Sequence, residues 1–573
     1  MRSLPILLTV LATAVHSLPT IHNRQLQQDH NGAVASETDV CSKVGIDLMK
    51  KGGNAADAMV GTIICVGTVA MYHSGIGGGG FMLIRSPKGE YEFVDFREMA
   101  PAAAYEDMYV NNTDLSKFGG LASGIPGELR GLEYLHTKYG KLPWKDCILP
   151  SINLARDGFI VNEDLIRYIE LVKSGSGPGV GGQPGGGFFL TDDPAWSIDF
   201  APNGKLVALG ETMTRKRFAN TLEIIANEGA DAFYRGPLAN ATIRAIQETG
   251  GIMTLDDLQA FKLAHRKPSH INYRGRGIWS TSAPSSGAVA QNVLKVLEGY
   301  ENIGNPAKVN ESTHLLVEAM RFGYAIRAEL GDPDFVDGLD EYQENMISPE
   351  LAEEIRSKIC LTTTLPVEAY NPKGFESLDT PGTSQMSAAD ASGLAISLTT
   401  TVNLLFGSRV MVPETGVIMN NEMNDFSIPG SSNAFGFIPS PANFIRPFKR
   451  PLSSVSASIV ETADGTLDFV IGAAGGSRII SSTIQNIINM VDHGYSVTKA
   501  LAAPRLHDQL TPNTCLIERT FDNSTVAYLE SLGHDITYLP LAESSAQGLR
   551  RLANGTFEAA GEPRQKNSGG FAY

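Results

Sequence analysis

Residues 382–408 read GTSQMSAADASGLAISLTTTVNLLFGS, and their pattern predicts a β-hairpin. Ser384 to Ala389 is one strand, Asp390-Ala391-Ser392-Gly393 has the residues of a tight turn, and Leu394 to Leu404 returns. On the return strand Leu394, Ile396, Leu398, Val402 and Leu404 share one face, with Thr400 the exception, because side chains alternate with period two. The other face carries Ser397, Thr399, Thr401 and Asn403. Hydroxyls and an amide with no charge among them suit a polar, enclosed site. The hairpin begins at Gly382-Thr383. If that bond is cut, Thr383 carries a nucleophilic hydroxyl and a free α-amine, whose pKa of roughly 8 lets it take the hydroxyl proton. Gly382 offers the backbone freedom that attack of Thr383 Oγ1 on the preceding carbonyl needs. Taken alone, these residues also fit an ordinary Thr-rich hairpin.

Working outward toward the N-terminus, Val40 to Lys51 reads as a helix ending at Gly52-Gly53. Asn54 caps a second helix through about Met71, apolar nearly all round and therefore buried. Gly75-Ile76-Gly77-Gly78-Gly79-Gly80 matches G-x-G-x-x-G, but a dinucleotide site needs a strand before and a helix after. Here a helix precedes, and strands at Phe81–Arg85 and Tyr91–Asp95 follow. The glycines read instead as close backbone approach to a neighbouring strand. Pro126 suits the first turn of a helix through Lys138, and another helix lies around Ser151–Asp157. Residues 174–187 are a Gly/Pro-rich loop. Asn310–Leu330 is an amphipathic helix packing through Leu315, Leu316, Ala319, Met320, Phe322 and Gly323, stopped by Gly331-Asp332-Pro333. Residues 361–382, with Pro366, Pro372 and Pro381, read as an exposed connector. Past the hairpin, Gly416 to Asn420 is a strand, Ser454–Val460 and Leu467–Ala473 are an alternating pair, and Ile479–Val491 and Val497–Ala502 are helices.

The chain has 573 residues and a net charge of −16, which argues against nucleic acid or anionic membrane as a partner. Residues 1–17 read as a secretory signal peptide: Arg2, an apolar run from Leu4 to Val15, and the small-residue pattern Ala12-Thr13-Ala14. The run falls short of the about 20 apolar residues of a membrane span. The expected location is extracellular or the lumen of the secretory pathway, with a membrane signal anchor as the alternative. Asn111, Asn240, Asn310, Asn523 and Asn554 are glycosylation acceptors by pattern. The cysteines Cys41, Cys65, Cys147, Cys360 and Cys515 form no CxxC, and their odd count leaves at least one thiol unpaired. There is no HExxH, and the histidines form no metal spacing, so no metal is expected.

Several ordered blocks together resemble the γ-glutamyltranspeptidase family. They are Gly52-Gly53-Asn54-Ala55-Ala56-Asp57-Ala58, Gly75-Ile76-Gly77-Gly78-Gly79-Gly80-Phe81, Arg97-Glu98-Met99-Ala100-Pro101, Gly331-Asp332-Pro333, the stretch from Gly382-Thr383, Asn420-Asn421-Glu422-Met423-Asn424-Asp425-Phe426, Pro451-Leu452-Ser453-Ser454 and Gly472-Ala473-Ala474-Gly475-Gly476. The resemblance implies an α+β fold, the four-layer αββα sandwich of the N-terminal-nucleophile hydrolases. It implies autocleavage at Gly382-Thr383 into a large subunit, residues 18–382, and a small subunit, residues 383–573. Thr383 would be the nucleophile, with Thr401 hydrogen-bonded to it and the backbone N–H groups of Gly475 and Gly476 as the oxyanion hole. Arg97, Ser453 and Ser454 would hold the α-carboxylate of the γ-glutamyl group, and Asn403, Glu422 and Asp425 its α-ammonium. The implied donor is glutathione or a related γ-glutamyl compound, and the acceptor is water, an amino acid or a dipeptide. The acyl transfer so implied needs no cofactor. A Cys41–Cys65 disulfide is implied as well. One departure is Gln385, where many members carry a His two residues after the nucleophile. Two other functions compete: the same fold acting on another amide, such as a β-lactam side chain, and an uncut, non-catalytic secreted homologue.

Overall fold

Two antiparallel sheets pack face to face between two layers of helix in the computed structural model, which describes residues 29–175, 188–371, 373–375, 382–430, 438–539 and 543–573. The first sheet has seven strands, in spatial order Gly569–Ala572, Gly32–Ser36, Ser384–Asp390, Ala395–Thr401, Gly79–Arg85, Tyr91–Asp95 and Ala264–Arg266. The second has six: Phe557–Ala560, Ser545–Arg551, Leu467–Ala474, Ser458–Glu461, Arg276–Ser280 and Ser269–Tyr273. Helices Asp39–Lys50 and Ala55–Val69 cover the first sheet, and Gly287–Glu298, Arg478–Val491 and Val497–Ala502 cover the second. This is the four-layer αββα sandwich.

The hairpin is central to it. Ser384–Asp390 pairs with Ala395–Thr401 in a register that sets Leu398 opposite Met386 and Thr399 opposite Gln385. Strands Gly32–Ser36 and Gly79–Arg85 flank the two arms, so neither arm is an edge. Alternation then sends the two faces into different layers. Met386, Ala388, Ile396 and Leu398 enter the core under the outer helices. The polar face meets the second sheet, where the Ser387 hydroxyl donates to the Gln547 carbonyl and that of Ser397 to Ile471, both at 3.1 Å. Thr400, the exception on the apolar face, donates to a carboxylate oxygen of Glu128 at 2.7 Å. Both faces are buried, so a hydroxyl face without charges belongs to the interior between sheets. The glycine stretch lies against this hairpin: a Cβ on Gly78 or Gly80 would stand 2.0 or 2.1 Å from the carbonyl oxygens of Thr401 and Thr399.

Several elements differ from expectation for local reasons. The return arm leaves the ladder after Thr401, because Asn403 takes a left-handed φ of 71°. Gly416–Asn420 forms no strand, only a bridge from Ile418 to Met411. Pairing of the Ser454–Val460 segment begins at Ser458. Pro126 precedes the Glu128–Tyr139 helix rather than starting it, since Gly127 is the N-cap. The helix around Ser151 begins at Trp144 and contains Pro150. The Val309–Arg327 helix leaves Leu316 of the expected stripe half-buried and buries Val317, Glu318 and Arg321 as well, because a second helix, Asn523–Ser531, packs on it too. The signal segment, residues 176–187 and residues 376–381 lie outside the described residues.

Asn54 caps the Ala55–Val69 helix in a capping box with Asp57. Cys41 and Cys65 form a disulfide between the two outer helices, 24 residues apart in sequence. Closing a loop of that size is worth about 3 kcal/mol. A Cys41→Ser, Cys65→Ser double variant is therefore expected to fold with stability reduced by about that amount, measured as a lower denaturant midpoint, with a steeper slope because the unlinked unfolded chain exposes more surface. Cys147 and Cys515 are buried free thiols, and Cys360 is partly exposed. Four glycosylation acceptors, Asn111, Asn240, Asn523 and Asn554, are exposed, and Asn310 is half-buried.

Candidate active site

Thr383 sits where the hairpin enters the first sheet and is 9% exposed. Its hydroxyl oxygen accepts a hydrogen bond from the Gly475 backbone N–H at 3.1 Å. Gly475 and Gly476 both have positive φ, 119° and 64°, and join the Leu467–Ala474 strand to the Arg478–Val491 helix. A Cβ on Gly475 would lie 2.5 Å from the Glu543 carbonyl oxygen, so only glycine turns the chain here.

The carbonyl before Thr383 is held as well. The Thr401 hydroxyl donates to the Gly382 carbonyl oxygen at 2.6 Å and accepts from the Asn403 N–H at 2.7 Å. The second bond fixes which way the hydroxyl proton points. Gly382 has φ 117°, and a Cβ there would lie 1.7 Å from the Asn403 carbonyl oxygen. Gln385 lies between the sheets. Its amide nitrogen donates to the Ser397 hydroxyl at 3.1 Å and its oxygen accepts from Thr399 at 2.6 Å. Gly472 makes room for it, since a Cβ there would touch the Gln385 amide at 2.4 Å. An uncharged donor–acceptor side chain thus satisfies the neighbouring hydroxyls.

From Thr401 a short chain of contacts leads to a cluster of charge. The Asn403 side chain donates to the Asn421 carbonyl at 2.9 Å, and Asn421 directly precedes the Glu422–Asp425 turn. Glu422 and Asp425 both pair with the Arg97 guanidinium, which is 1% exposed. Arg97 also points at the Pro451 and Leu452 carbonyls, each at 3.4 Å, just before Ser453. Burial opposes charge on Arg97, but Glu422 and Asp425 outweigh it and hold the guanidinium above the ordinary arginine range. Burial pushes the Glu422 carboxyl up, against the pull of Arg97. Ser453 accepts the Val455 N–H at its hydroxyl, and the Ser454 hydroxyl accepts from Arg327 at 2.9 Å. Each sequence-derived candidate therefore lies on one of two connected patches, one around Thr383 and one around Arg97.

Four further residues belong to the arrangement. Asn420 accepts the Gly124 and Glu422 N–H groups, both at 2.9 Å, and donates to Gly77 and Gly124. Asn421 accepts the Leu404 N–H. Both stand inside a block already singled out, so the signal was present. Arg327 gave none: it is a buried cation on a helix chosen for its apolar stripe. Glu98 follows Arg97 directly and is fully buried. Burial pushes its carboxyl up to about 8, against the pull of Arg97. An acid whose folded pKa is raised stabilises the fold below its unfolded value of roughly 4.3 and loses that contribution as pH climbs to the folded value. Relative to Glu98→Gln, the native protein is expected to lose stability between roughly pH 5 and pH 8. Denaturant midpoints of both proteins across that window check this.

The Gamma-glutamyltranspeptidase family pattern matches residues 41–572. The chain belongs to the γ-glutamyltranspeptidase family. Among members of that family, the glutathione hydrolase proenzyme of Arthroderma benhamiae is 51% identical, over 98% of this chain and 97% of its own. The glutathione hydrolase of Aspergillus flavus is 50% identical, over 94% of this chain and 89% of its own. Among solved structures, a cephalosporin acylase from Bacillus halodurans superimposes with a TM-score of 0.83 at 25% identity, covering 98% of this chain and 99% of that one. Among the described residues no helix is long and apolar enough to cross a membrane.

Proposed function

We propose that this γ-glutamyltranspeptidase is a proenzyme that cuts itself between Gly382 and Thr383 and then cleaves the γ-glutamyl bond of glutathione and related compounds. The carrying observation is the pair of contacts at that bond. Thr401 donates to the Gly382 carbonyl and Gly475 donates to Thr383 Oγ1. A hydrogen bond to the carbonyl oxygen draws charge from its carbon, where the Thr383 hydroxyl attacks. The backbone nitrogen leaves as the new α-amine, and water then hydrolyses the resulting ester. The large subunit would be residues 18–382 and the small subunit 383–573.

In the mature enzyme the freed α-amine takes the Thr383 hydroxyl proton as the oxygen attacks the γ-glutamyl carbonyl. The amine then passes that proton to the leaving cysteinylglycine nitrogen. The ester on Thr383 goes to water, giving glutamate, or to the amine of an amino acid or dipeptide, giving a new γ-glutamyl amide. Gly475 and Gly476 would stabilise the oxyanion. The head of the donor is a zwitterion, and the Arg97, Glu422, Asp425 cluster complements it: its carboxylate would take over the guanidinium, with Ser453 and Ser454, and its ammonium the two freed carboxylates, with Asn403. That complementarity favours an amino-acid head over a β-lactam side chain, although the fold is common to both kinds of enzyme. The N-terminal signal pattern, the exposed acceptors and the disulfide support secretion as a glycoprotein.

Purified protein on a denaturing gel tests the reading. A fragment whose N-terminal sequence begins Thr383-Ser384-Gln385-Met386, together with glutamate release from glutathione, is the expected result. An uncut chain that releases no glutamate would point to the non-catalytic homologue.

A further inference from the structure

Away from Thr383 and Arg97, three side chains that the reaction does not use meet in the interior. His314 and Glu318 lie one turn apart on the Val309–Arg327 helix. His534 reaches the same point from beyond the Asn523–Ser531 helix. All three are buried, and one donor atom from each lies within 4.8 Å of the others. His314 Nδ1 is 2.8 Å from His534 Nε2, and Glu318 Oε1 is 3.9 Å from that same nitrogen.

The surroundings orient these atoms. His314 Nε2 stands 2.8 Å from the Cys360 carbonyl oxygen. A carbonyl only accepts, so Nε2 carries the proton and Nδ1 keeps its lone pair, facing inward, where it accepts from His534 Nε2–H. A bound ion would take that place and shift the His534 proton to Nδ1. Thr364 Oγ1 donates to Glu318 Oε1 at 2.8 Å, and the Tyr370 hydroxyl donates to Oε2 at 2.7 Å. Outer hydrogen bonds that fix a histidine tautomer and pin a carboxylate are what aligned metal ligands have. Tetrahedral zinc with bonds of about 2.0–2.1 Å spaces its donors by about 3.3 Å. The two distances here lie on either side of that spacing, so small side-chain rotations suffice.

We propose that His314 Nδ1, His534 Nε2 and Glu318 Oε1 bind a divalent cation of the zinc class, with a water as fourth ligand, and that the ion clips these elements together. Two imidazoles and one carboxylate suit zinc or cobalt rather than calcium or magnesium, which prefer oxygen donors alone. The four-residue spacing of His314 and Glu318 sits on one helix, but the third ligand is 220 residues from His314, so no sequence spacing reveals the set. His314 and Glu318 precede Gly382 and His534 follows it. In a processed enzyme the ion would tie the two fragments together; that consequence rests on the proposed cleavage, whereas metal binding does not.

Metal analysis of the full-length protein, purified without chelators from zinc-supplemented culture, tests the proposal. The expected content is about one zinc per chain, falling at least tenfold in His314→Gln and His534→Gln. Glu318→Gln keeps an acceptor for one of the Thr364 and Tyr370 hydroxyls, presents its amide N–H2 to the other, and is expected to hold zinc less tightly. Protein refolded with cobalt(II) alone should gain the visible absorption of a four-coordinate ion, and His534→Cys should retain cobalt and add a thiolate charge-transfer band. That band appears only if position 534 touches the ion, so it separates ligation from a purely structural role. Native protein that holds less than a tenth of a zinc per chain and gives no cobalt spectrum overturns the proposal, as does native metal content in both glutamine variants. Thr383→Ala should carry as much zinc as the native chain whether or not the chain cuts itself, which keeps this test distinct from that of the cleavage.

Discussion

Thr383→Ala is expected to leave one uncut chain on a denaturing gel and to lower γ-glutamyl release by roughly four orders of magnitude. One atom serves twice in the proposed chemistry. Thr383 Oγ1 attacks the Gly382 carbonyl in the precursor and the γ-glutamyl carbonyl in the enzyme. Thr401 does not replace it, being engaged with the Gly382 carbonyl and the Asn403 N–H. The variant loses one hydrogen bond, from the Gly475 N–H, worth about 1 kcal/mol. It should therefore fold, and an unchanged circular dichroism spectrum would separate lost chemistry from lost structure. Thr383→Ser keeps the hydroxyl and should still cut. A Thr383→Ala chain that is cut at Gly382 as fast as the native one would sink the assignment.

Arg97→Lys should raise KM for the γ-glutamyl donor by roughly 100-fold while changing kcat much less. Lysine keeps the positive charge, so Glu422 and Asp425 still face a cation and the fold survives. It lacks the planar fork that meets a carboxylate with two parallel N–H groups, and each charge-assisted bond lost weakens binding by about 1.5–3 kcal/mol. Arg97→Gln is the harsher change. It leaves two buried carboxylates without their partner, a cost of about 3–5 kcal/mol in stability, so it should lower the melting temperature as well as the activity. The split between KM and kcat in the lysine variant is the decisive readout. An unchanged KM would remove Arg97 from the recognition of the donor.

Much of this protein is legible in its sequence. Period-two alternation from Leu394 to Leu404 predicts the return arm and its hydroxyl face, and Asn54 with Asp57 marks a helix start, because those signals depend only on neighbours in the chain. The glycines at 77–80 could be read as a place of close approach, since no side chain can explain four of them in a row. The family blocks carry the identities of Thr383, Arg97, Glu422 and Asp425. Local pattern fails where the structure is decided from outside the segment. Gly416–Asn420 alternates like a strand but has no ladder partner, and Asn403 ends its strand through a left-handed turn that no alternation announces.

The sequence by itself determined the order of the elements, the capping, the polar face of the hairpin and the family membership, all of which reside in short runs of residues. Only the tertiary structure decided that this polar face lies between two sheets, that Gln385 bridges Ser397 and Thr399 opposite Gly472, that Glu98 and Arg327 join the charged cluster, and that His314, Glu318 and His534 converge. Each of these depends on contacts between segments tens to hundreds of residues apart. Such contacts are set by how layers stack to bury apolar surface and satisfy buried polar groups, and no local run of residues encodes them.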